Sequence, residues 1–316
     1  MSEPESQIKM LAELIWVWGS DMGFFCYICI VSQKTKTGLV LEGGAMRGLF
    51  TAGVIDVMME NGLEFDGLIG VSAGSSFGCN YKSRQPGRVL RYNLRYASDP
   101  RYMGLWSLLT TGNLVGAEFA YHTLPLKLDI FDTASFEANP MEFYMVATDV
   151  ETAAPAYYRM DKVDRDSLEW LRASASMPAV TRPVKVADGR KMLDGGISDS
   201  IPLAYFRSIG YGRNVVVLTQ PRDYFKIKAP AWLWRLLLPG HKAVARAMAA
   251  RHEMYNGQLR LVAEGERAGD TFVIAPEAPL PIGRVSTDKA KMKNVYAIGR
   301  RAAEAALPAL KDFLSK

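Results

Sequence analysis

The decapeptide Phe65-Asp66-Gly67-Leu68-Ile69-Gly70-Val71-Ser72-Ala73-Gly74 constrains this chain more than any other stretch. Phe65 to Val71 is a short apolar run bounded by turn residues, which reads as a fully buried strand. Gly74 to Tyr81 carries small residues and reads as the start of a helix. Between them, Gly70 to Gly74 matches the pattern G-x-S-x-G, which places a serine on a sharp strand-to-helix turn. Glycines on either side relieve the crowding that such a turn creates. The helix start beyond the serine offers backbone N–H groups and a positive dipole end to negative charge developing nearby.

A second strand-to-helix turn lies upstream. Gly38 to Leu41 is a short apolar run, and Glu42-Gly43-Gly44-Ala45-Met46-Arg47-Gly48 follows it. Met46 to Glu60 has helix-spaced apolar positions, with Gly62 as a C-terminal stop. Consecutive glycines at such a turn let several N–H groups converge on one anion. When that anion is the tetrahedral oxyanion of acyl transfer, losing one donor costs about 3–4 kcal/mol of barrier. A nucleotide phosphate is the alternative guest. The dinucleotide fingerprint, however, needs glycine where Ala45 stands, and the Walker sequence G-K-[ST] is absent. Ala45 keeps its N–H. The donor survives at negative φ, whereas positive φ would cost energy and weaken the case for an oxyanion hole.

Two strand-turn-helix units in succession imply an α/β fold with a parallel sheet. Further strands are expected at Met141–Val150 and Ala156–Met160, as a hairpin around Glu151 to Pro155, and at Lys191–Leu193, Asn214–Thr219 and Thr271–Ala275. Helices are expected at Leu168–Ser176 and Ala243–Glu266, and one or two from Asp288 to Leu314. Asp99 to Ala120 is aromatic and glycine-punctuated and takes no clear assignment. Asp194-Gly195-Gly196 follows the Lys191 strand. An aspartate at a strand end before two glycines can present its carboxylate into a cleft, although an ordinary aspartate turn would look the same.

In this order the three elements resemble the patatin-like phospholipase family, with its acid-Gly-Gly-Gly-x-Arg-Gly loop, G-x-S-x-G, and Asp-Gly-Gly. The resemblance runs from Gly38 to about Leu218, and the remainder resembles the C-terminal part of a bacterial subgroup. Ala45 in place of the third glycine is the one departure in the loop. The resemblance implies a three-layer fold with a mainly parallel central sheet and helices on both faces. It makes Ser72 the nucleophile and Asp194 its dyad partner. Gly43, Gly44, Ala45, Arg47 and Gly48 become the oxyanion loop, with Arg47 fixing its geometry, and Gly70 and Gly74 flank the nucleophile. Arg172 to Pro178 resembles a small-residue helix end before a proline. The expected organisation is an N-terminal extension over residues 1–36, a core over 37–220, and a helical part over 221–316 that completes the same domain. The alternative for the extension is a mis-assigned start, with the protein beginning near Lys34. The expected activity is hydrolysis of a lipid or other acyl ester with no metal or organic cofactor. A soluble carboxylesterase or thioesterase, or a non-catalytic lipid- or phosphate-binding protein, is the alternative.

Other residues bear on partners and place. His122, His241 and His252 are spare in a dyad; a Ser-Asp-His triad would enlist His241 or His252. The net charge of +5 is too small for a dedicated nucleic-acid binder. Yet Arg222 to His252 holds seven Lys and Arg against one acid, beside Trp232, Trp234 and Leu236 to Leu238. That composition suits peripheral contact with an anionic membrane, or simply a solvated basic face. The run Met22 to Val31 is too short to span a bilayer. Three cysteines make no disulfide framework, so a reducing cytoplasm is expected. Cys26 and Cys29, with no second pair and no nearby histidine, read as incidental apolar residues rather than a zinc or redox site.

Overall fold

A computed structural model of the chain describes residues 35–316. The expectations for the N-terminal extension up to Lys34, its apolar run, and Cys26 and Cys29 lie outside the described residues.

Eight strands form one sheet among these residues: β1 (Thr37–Leu41), β2 (Gly67–Val71), β3 (Glu142–Asp149), β4 (Pro155–Arg159), β5 (Val184–Lys185), β6 (Lys191–Asp194), β7 (Arg213–Val217) and β8 (Thr271–Ile274). The order is β5-β6-β3-β2-β1-β7-β8, with β4 also pairing β3. The five strands from β3 to β8 along this order run parallel. The hairpin partner β4 and the edge strands β6 and β5 are antiparallel. This mainly parallel sheet with helices on both faces is the expected fold class.

The central strands are buried on both sides, so they read as continuous apolar runs rather than as alternating ones. Period two still sorts their side chains. Leu39 and Leu41 of β1, Leu68 of β2 and Val215 of β7 belong to one core; Val40, Ile69 and Val216 belong to the other.

The helices are α1 (Gly48–Glu60), α2 (Ala73–Lys82), α3 (Arg88–Tyr96), α4 (Leu105–Thr111), α5 (Thr133–Ala138), α6 (Arg165–Ser174), α7 (Leu203–Ser208), α8 (Ala231–Leu237), α9 (Lys242–Ala268) and α10 (Lys289–Ser315). The first core takes its helical share from α1, α2, α3, α5, α6 and α10, the second from α7 and α9. Asp288 caps α10 by accepting from the N–H groups of Ala290 and Lys291. The helix then runs unbroken through Pro308, so one helix stands where one or two were expected. The unassigned stretch after Asp99 holds α4 between Gly104 and Gly112, and a π-helical segment, Phe119–Leu128, follows. Among the described residues no helix is long and apolar enough to cross a membrane.

The chain leaves β1 toward β2 and β3 on one side and returns to β7 on the other. That reversal is a topological switch point, where α/β folds open a crevice beyond the carboxyl ends of the strands. The turns after β1 and β2 both end there.

Helices α1 and α10 approach so closely that a Cβ on Gly299 would lie 2.8 Å from the carbonyl carbon of Phe50. Gly299→Ala should therefore destabilise the fold by about 1–3 kcal/mol through overpacking, read from the urea midpoint. An unchanged midpoint would mean that the two helices separate without cost.

Candidate active site

Ser72 stands between β2 and α2 with φ 56° and ψ −121°. A non-glycine residue held in such a conformation stores strain, which the surroundings must over-determine. Two constraints do so here. The Ser72 N–H donates to Ser174 Oγ at 3.0 Å, and Ser174 Oγ donates to the Val146 carbonyl of β3 at 2.6 Å. Gly70 and Gly74 meet across the turn: a Cβ on Gly70 would come within 2.6 Å of the Gly74 carbonyl. Any side chain at Gly70 would force the elbow open.

Asp194 ends β6, which pairs antiparallel with β3. Its Oδ2 accepts the Ser72 hydroxyl at 2.7 Å, and its Oδ1 accepts the Gly196 N–H at 2.8 Å. The backbone is held as well. Asp194 N–H donates to the Ser176 carbonyl at 2.8 Å, and Thr148 Oγ1 donates to the Asp194 carbonyl at 2.8 Å. Both functional side chains are buried, Ser72 at 8% exposure and Asp194 at 7%. Burial raises the Asp194 pKa above the usual carboxylate range, against the hydrogen bonds from Ser72 and Gly196 that lower it. Burial thus makes the carboxylate a stronger base than a free aspartate.

Glu42 begins the glycine loop and is buried at its root. Its Oε2 accepts the Thr219 N–H at 2.5 Å and its Oε1 accepts the Tyr255 hydroxyl at 2.7 Å, while burial raises its pKa. Among the described residues the N–H groups of Gly43, Gly44 and Ala45 have no partner, nor does that of Ala73 at the start of α2. Gly43 packs against Ser72: a Cβ there would lie 3.0 Å from the serine Cβ. Gly44 sits against Thr219, and Gly48 begins α1 against Ala73. Ala45 takes the positive φ that weakens the oxyanion case, 51°. The N–H is nonetheless present and unpaired, so the conformation costs energy without removing the donor. Arg47 departs from its expected role. Its backbone N–H donates to the Gly44 carbonyl at 3.1 Å, but its side-chain Nε is buried without a partner. The Glu42 carboxylate, rather than the Arg47 guanidinium, ties the loop down.

Two cavities meet at Ser72. One is lined mainly by apolar groups, including Met46, Phe77, Tyr121, Leu124, Leu171 and Met177. The other holds Asp194, Glu42 and the glycine loop, with Lys226, Arg251 and Arg284. No histidine lines either cavity. His122 pairs with Glu169 at 3.0 Å, and His252 contacts the Ala249 carbonyl through Nδ1 at 3.1 Å. The triad alternative therefore lacks its imidazole.

Sequence reading overlooked the part played by α9. Arg251 donates to the Gly196 carbonyl and to Ser200 Oγ, Tyr255 holds Glu42, and the Gln258 amide oxygen accepts from the N–H groups of Ser200 and Ile201. Positions 251, 255 and 258 follow helical spacing, so one polar face pins both glycine turns. That spacing of polar side chains was the available signal. Ser174 lies within the small-residue stretch singled out above, but nothing in the sequence marks it as the hydrogen-bond partner of Ser72.

A serine on a strained elbow beside a buried carboxylate, at the switch point of a mainly parallel sheet, defines an α/β protein with a hydrolase-like site. The model of the patatin-like phospholipase family matches residues 39–207, and that of a domain of unknown function (DUF6363) matches residues 241–315. The chain belongs to the patatin-like phospholipase family. The protein YjjU of Escherichia coli (strain K12) is 29% identical over 295 residues, covering 85% of this chain and 76% of that protein. The lysophospholipase nte1 of Aspergillus oryzae is 29% identical over 180 residues, covering 55% of this chain. The NTE family protein Mb1092c of Mycobacterium bovis is 27% identical over 187 residues, covering 59% of this chain. This chain spans 49% of the mycobacterial protein and only 11% of the fungal one. Membership of the family supports lipid acyl hydrolase activity.

Two predictions follow from the strain and burial at this site. Ala45→Gly should raise stability by about 0.5–1 kcal/mol, because glycine adopts the left-handed region freely and only part of that gain is lost to unfolded-chain entropy; a lower urea midpoint would contradict it. Asp194→Asn should melt at or above the wild-type temperature, with the gap widening as pH rises from the unfolded aspartate pKa of about 4 and levelling off above the raised folded pKa. The sign comes from linkage. A carboxyl with a raised folded pKa binds more protons folded than unfolded, so the ionised group opposes folding above its unfolded pKa. A melting temperature well below wild type at pH 8 would contradict that sign.

Proposed function

We propose that this protein is a serine acyl hydrolase acting on lipid esters, with Ser72 as nucleophile and Asp194 as its general base, of the phospholipase A type. The observation that carries the reading is the 2.7 Å hydrogen bond from Ser72 Oγ to Asp194 Oδ2 at the mouth of an apolar cavity. Ser72 attacks the ester carbonyl while Asp194 takes the hydroxyl proton. The developing oxyanion is met by N–H groups of Gly43, Gly44 and Ala45 and by the N-terminus of α2. Asp194 returns the proton to the leaving alcohol, and an acyl-enzyme remains on Ser72. Water then attacks with Asp194 again as base, the Ser72 Oγ–acyl bond breaks to release the fatty acid, and Asp194 returns the proton to Ser72 Oγ. The raised pKa of Asp194 supports this role, since a base works best when its pKa approaches the working pH.

The acyl chain is proposed to occupy the apolar cavity. The name of the fungal relative, a lysophospholipase, favours a lipid over a short soluble ester. Residues 221–316 are proposed to complete the catalytic unit, on the strength of the α9 contacts to Glu42 and Gly196. Segment 222–252 is proposed to rest on an anionic membrane surface. In it Phe225, Ile227, Trp232 and Leu236 are exposed, an apolar display beside basic groups that fits interfacial contact.

Turnover of a panel of phospholipids and short esters by the purified protein tests the reading. Ser72→Ala and Asp194→Asn should each lower kcat by at least about 10³, and the double variant by little more, because the two groups act as one unit. kcat/KM should fall as pH drops through the Asp194 ionisation, with its midpoint above that of an ordinary aspartate, because the protonated carboxyl cannot accept. His122→Gln, His241→Gln and His252→Gln should each stay within about tenfold of wild type, there being no imidazole step. Hydrolysis confined to short soluble esters would favour a carboxylesterase or thioesterase. Full activity of Asp194→Asn would remove the dyad.

A further inference from the structure

The cavity on the Asp194 side of Ser72 differs in chemistry from the apolar one. Four cations line it: Arg47, Lys226, Arg251 and Arg284, the last of which also borders the apolar cavity. They come from four separate segments: the glycine loop, the stretch after β7, helix α9, and the loop before α10. None of them forms an ion pair among the described residues. The two carboxylates in the same cavity are already engaged, Asp194 with Ser72 and Gly196, Glu42 with Thr219 and Tyr255.

The cations feel one another. Burial, then the fields of Arg251 and Arg284, push the Lys226 ammonium down to about 8. Burial foremost, and Arg284 as well, lower Arg251. Arg47 Nε is a buried donor with no acceptor. Arg47, Lys226 and Arg251 are half-buried and Arg284 is exposed, and beyond the bonds that Arg251 makes to Gly196 and Ser200 the four keep donors for an anion rich in acceptor oxygens. The faces of Tyr255 and Tyr224 are not open to a quaternary ammonium, because Lys226 Nζ already lies 4.4 Å from the Tyr255 ring centre and 5.6 Å from that of Tyr224. A choline head would also meet the cations themselves.

Resting on Ser72 as nucleophile, we propose that this cavity is the head-group subsite, and that Lys226, Arg251 and Arg284 select glycerophospholipids or lysophospholipids whose head group is net negative. The acyl chain enters the apolar cavity, the ester lies at Ser72, and the phosphate lies among the cations. Exposed Phe225 and Ile227 flank Lys226 in the chain, and half-exposed Val285 flanks Arg284, so apolar side chains border the cations where a lipid surface would present its head groups.

The test uses the purified full chain and detergent mixed micelles. Matched dioleoyl phosphatidic acid, phosphatidylglycerol, phosphatidylcholine and diacylglycerol are compared, with soluble p-nitrophenyl butyrate as denominator for every variant. The two anionic lipids should be preferred over the other two by at least about tenfold in kcat/KM. Lys226→Gln and Arg284→Gln should each reduce that preference about tenfold, mainly through KM. Lys185→Gln and Lys293→Gln, exposed cations outside residues 222–252 that line neither cavity, should change it by less than about twofold. Equal rates on all head groups, with the soluble ester still cleaved, overturn the head-group assignment and leave the nucleophile standing. Equal losses from the two exposed-cation variants overturn it in favour of general surface attraction. Inhibition by inorganic phosphate without any lipid preference makes this a free-phosphate site and overturns the lipid assignment. Failure to cleave any ester by a folded protein overturns the nucleophile reading and the subsite together.

Discussion

The hydrogen bond between Ser72 and Asp194 joins side chains 122 residues apart. It can form only if the carboxyl end of β2 and the end of β6 reach one another across the strand between them. Strand β3 makes this possible. It pairs parallel with β2 on one side and antiparallel with β6 on the other, and its Ala147 stands opposite Asp194. Ser174 strengthens the link by connecting the Ser72 N–H to the Val146 carbonyl of the same strand. The Ser72–Asp194 geometry is therefore a property of three adjacent strands rather than of two loops, and a pair on rigid elements keeps its geometry better than one on loops.

Burial around the pair has opposed effects on stability and chemistry. Removing water makes Asp194 more basic, as the proposed proton transfer from Ser72 requires, and makes the ionised site costly to fold. The left-handed Ala45 and the strained Ser72 add to that cost. Helix α9 offsets part of it by fixing both glycine turns from one polar face, through Arg251, Tyr255 and Gln258. The same face carries a cation into the cavity beside Ser72, so the helix that holds the site also shapes what can enter it.

Much of this was legible in the sequence. The central strands are apolar runs ending in glycine turns, and their burial on both faces leaves no polar alternation to blur the pattern. Ser72, Asp194 and Gly43 to Gly48 were legible because strand-end turns need particular residue types at fixed spacing. The stretch from Asp99 to Leu128 was not, because short helices between glycines and a π-helical segment with an internal proline obey no simple period. Arg47 was misread. Its place in the loop is local, but its side-chain surroundings are set by Lys226, Arg251 and Arg284, which lie far along the chain. The same holds for Ser174 and Tyr255, whose partners are fixed by strand order and not by neighbouring residues.

The most direct measurement is the rate at which a fluorophosphonate modifies the protein, with the adduct located by peptide mass spectrometry. A Ser–Asp dyad requires Ser72 to be the modified serine. It also requires the rate to fall at least about 100-fold in Asp194→Asn and to decline in the wild type as acid protonates Asp194. Modification of another serine, or of Ser72 at the wild-type rate in Asp194→Asn, would contradict it.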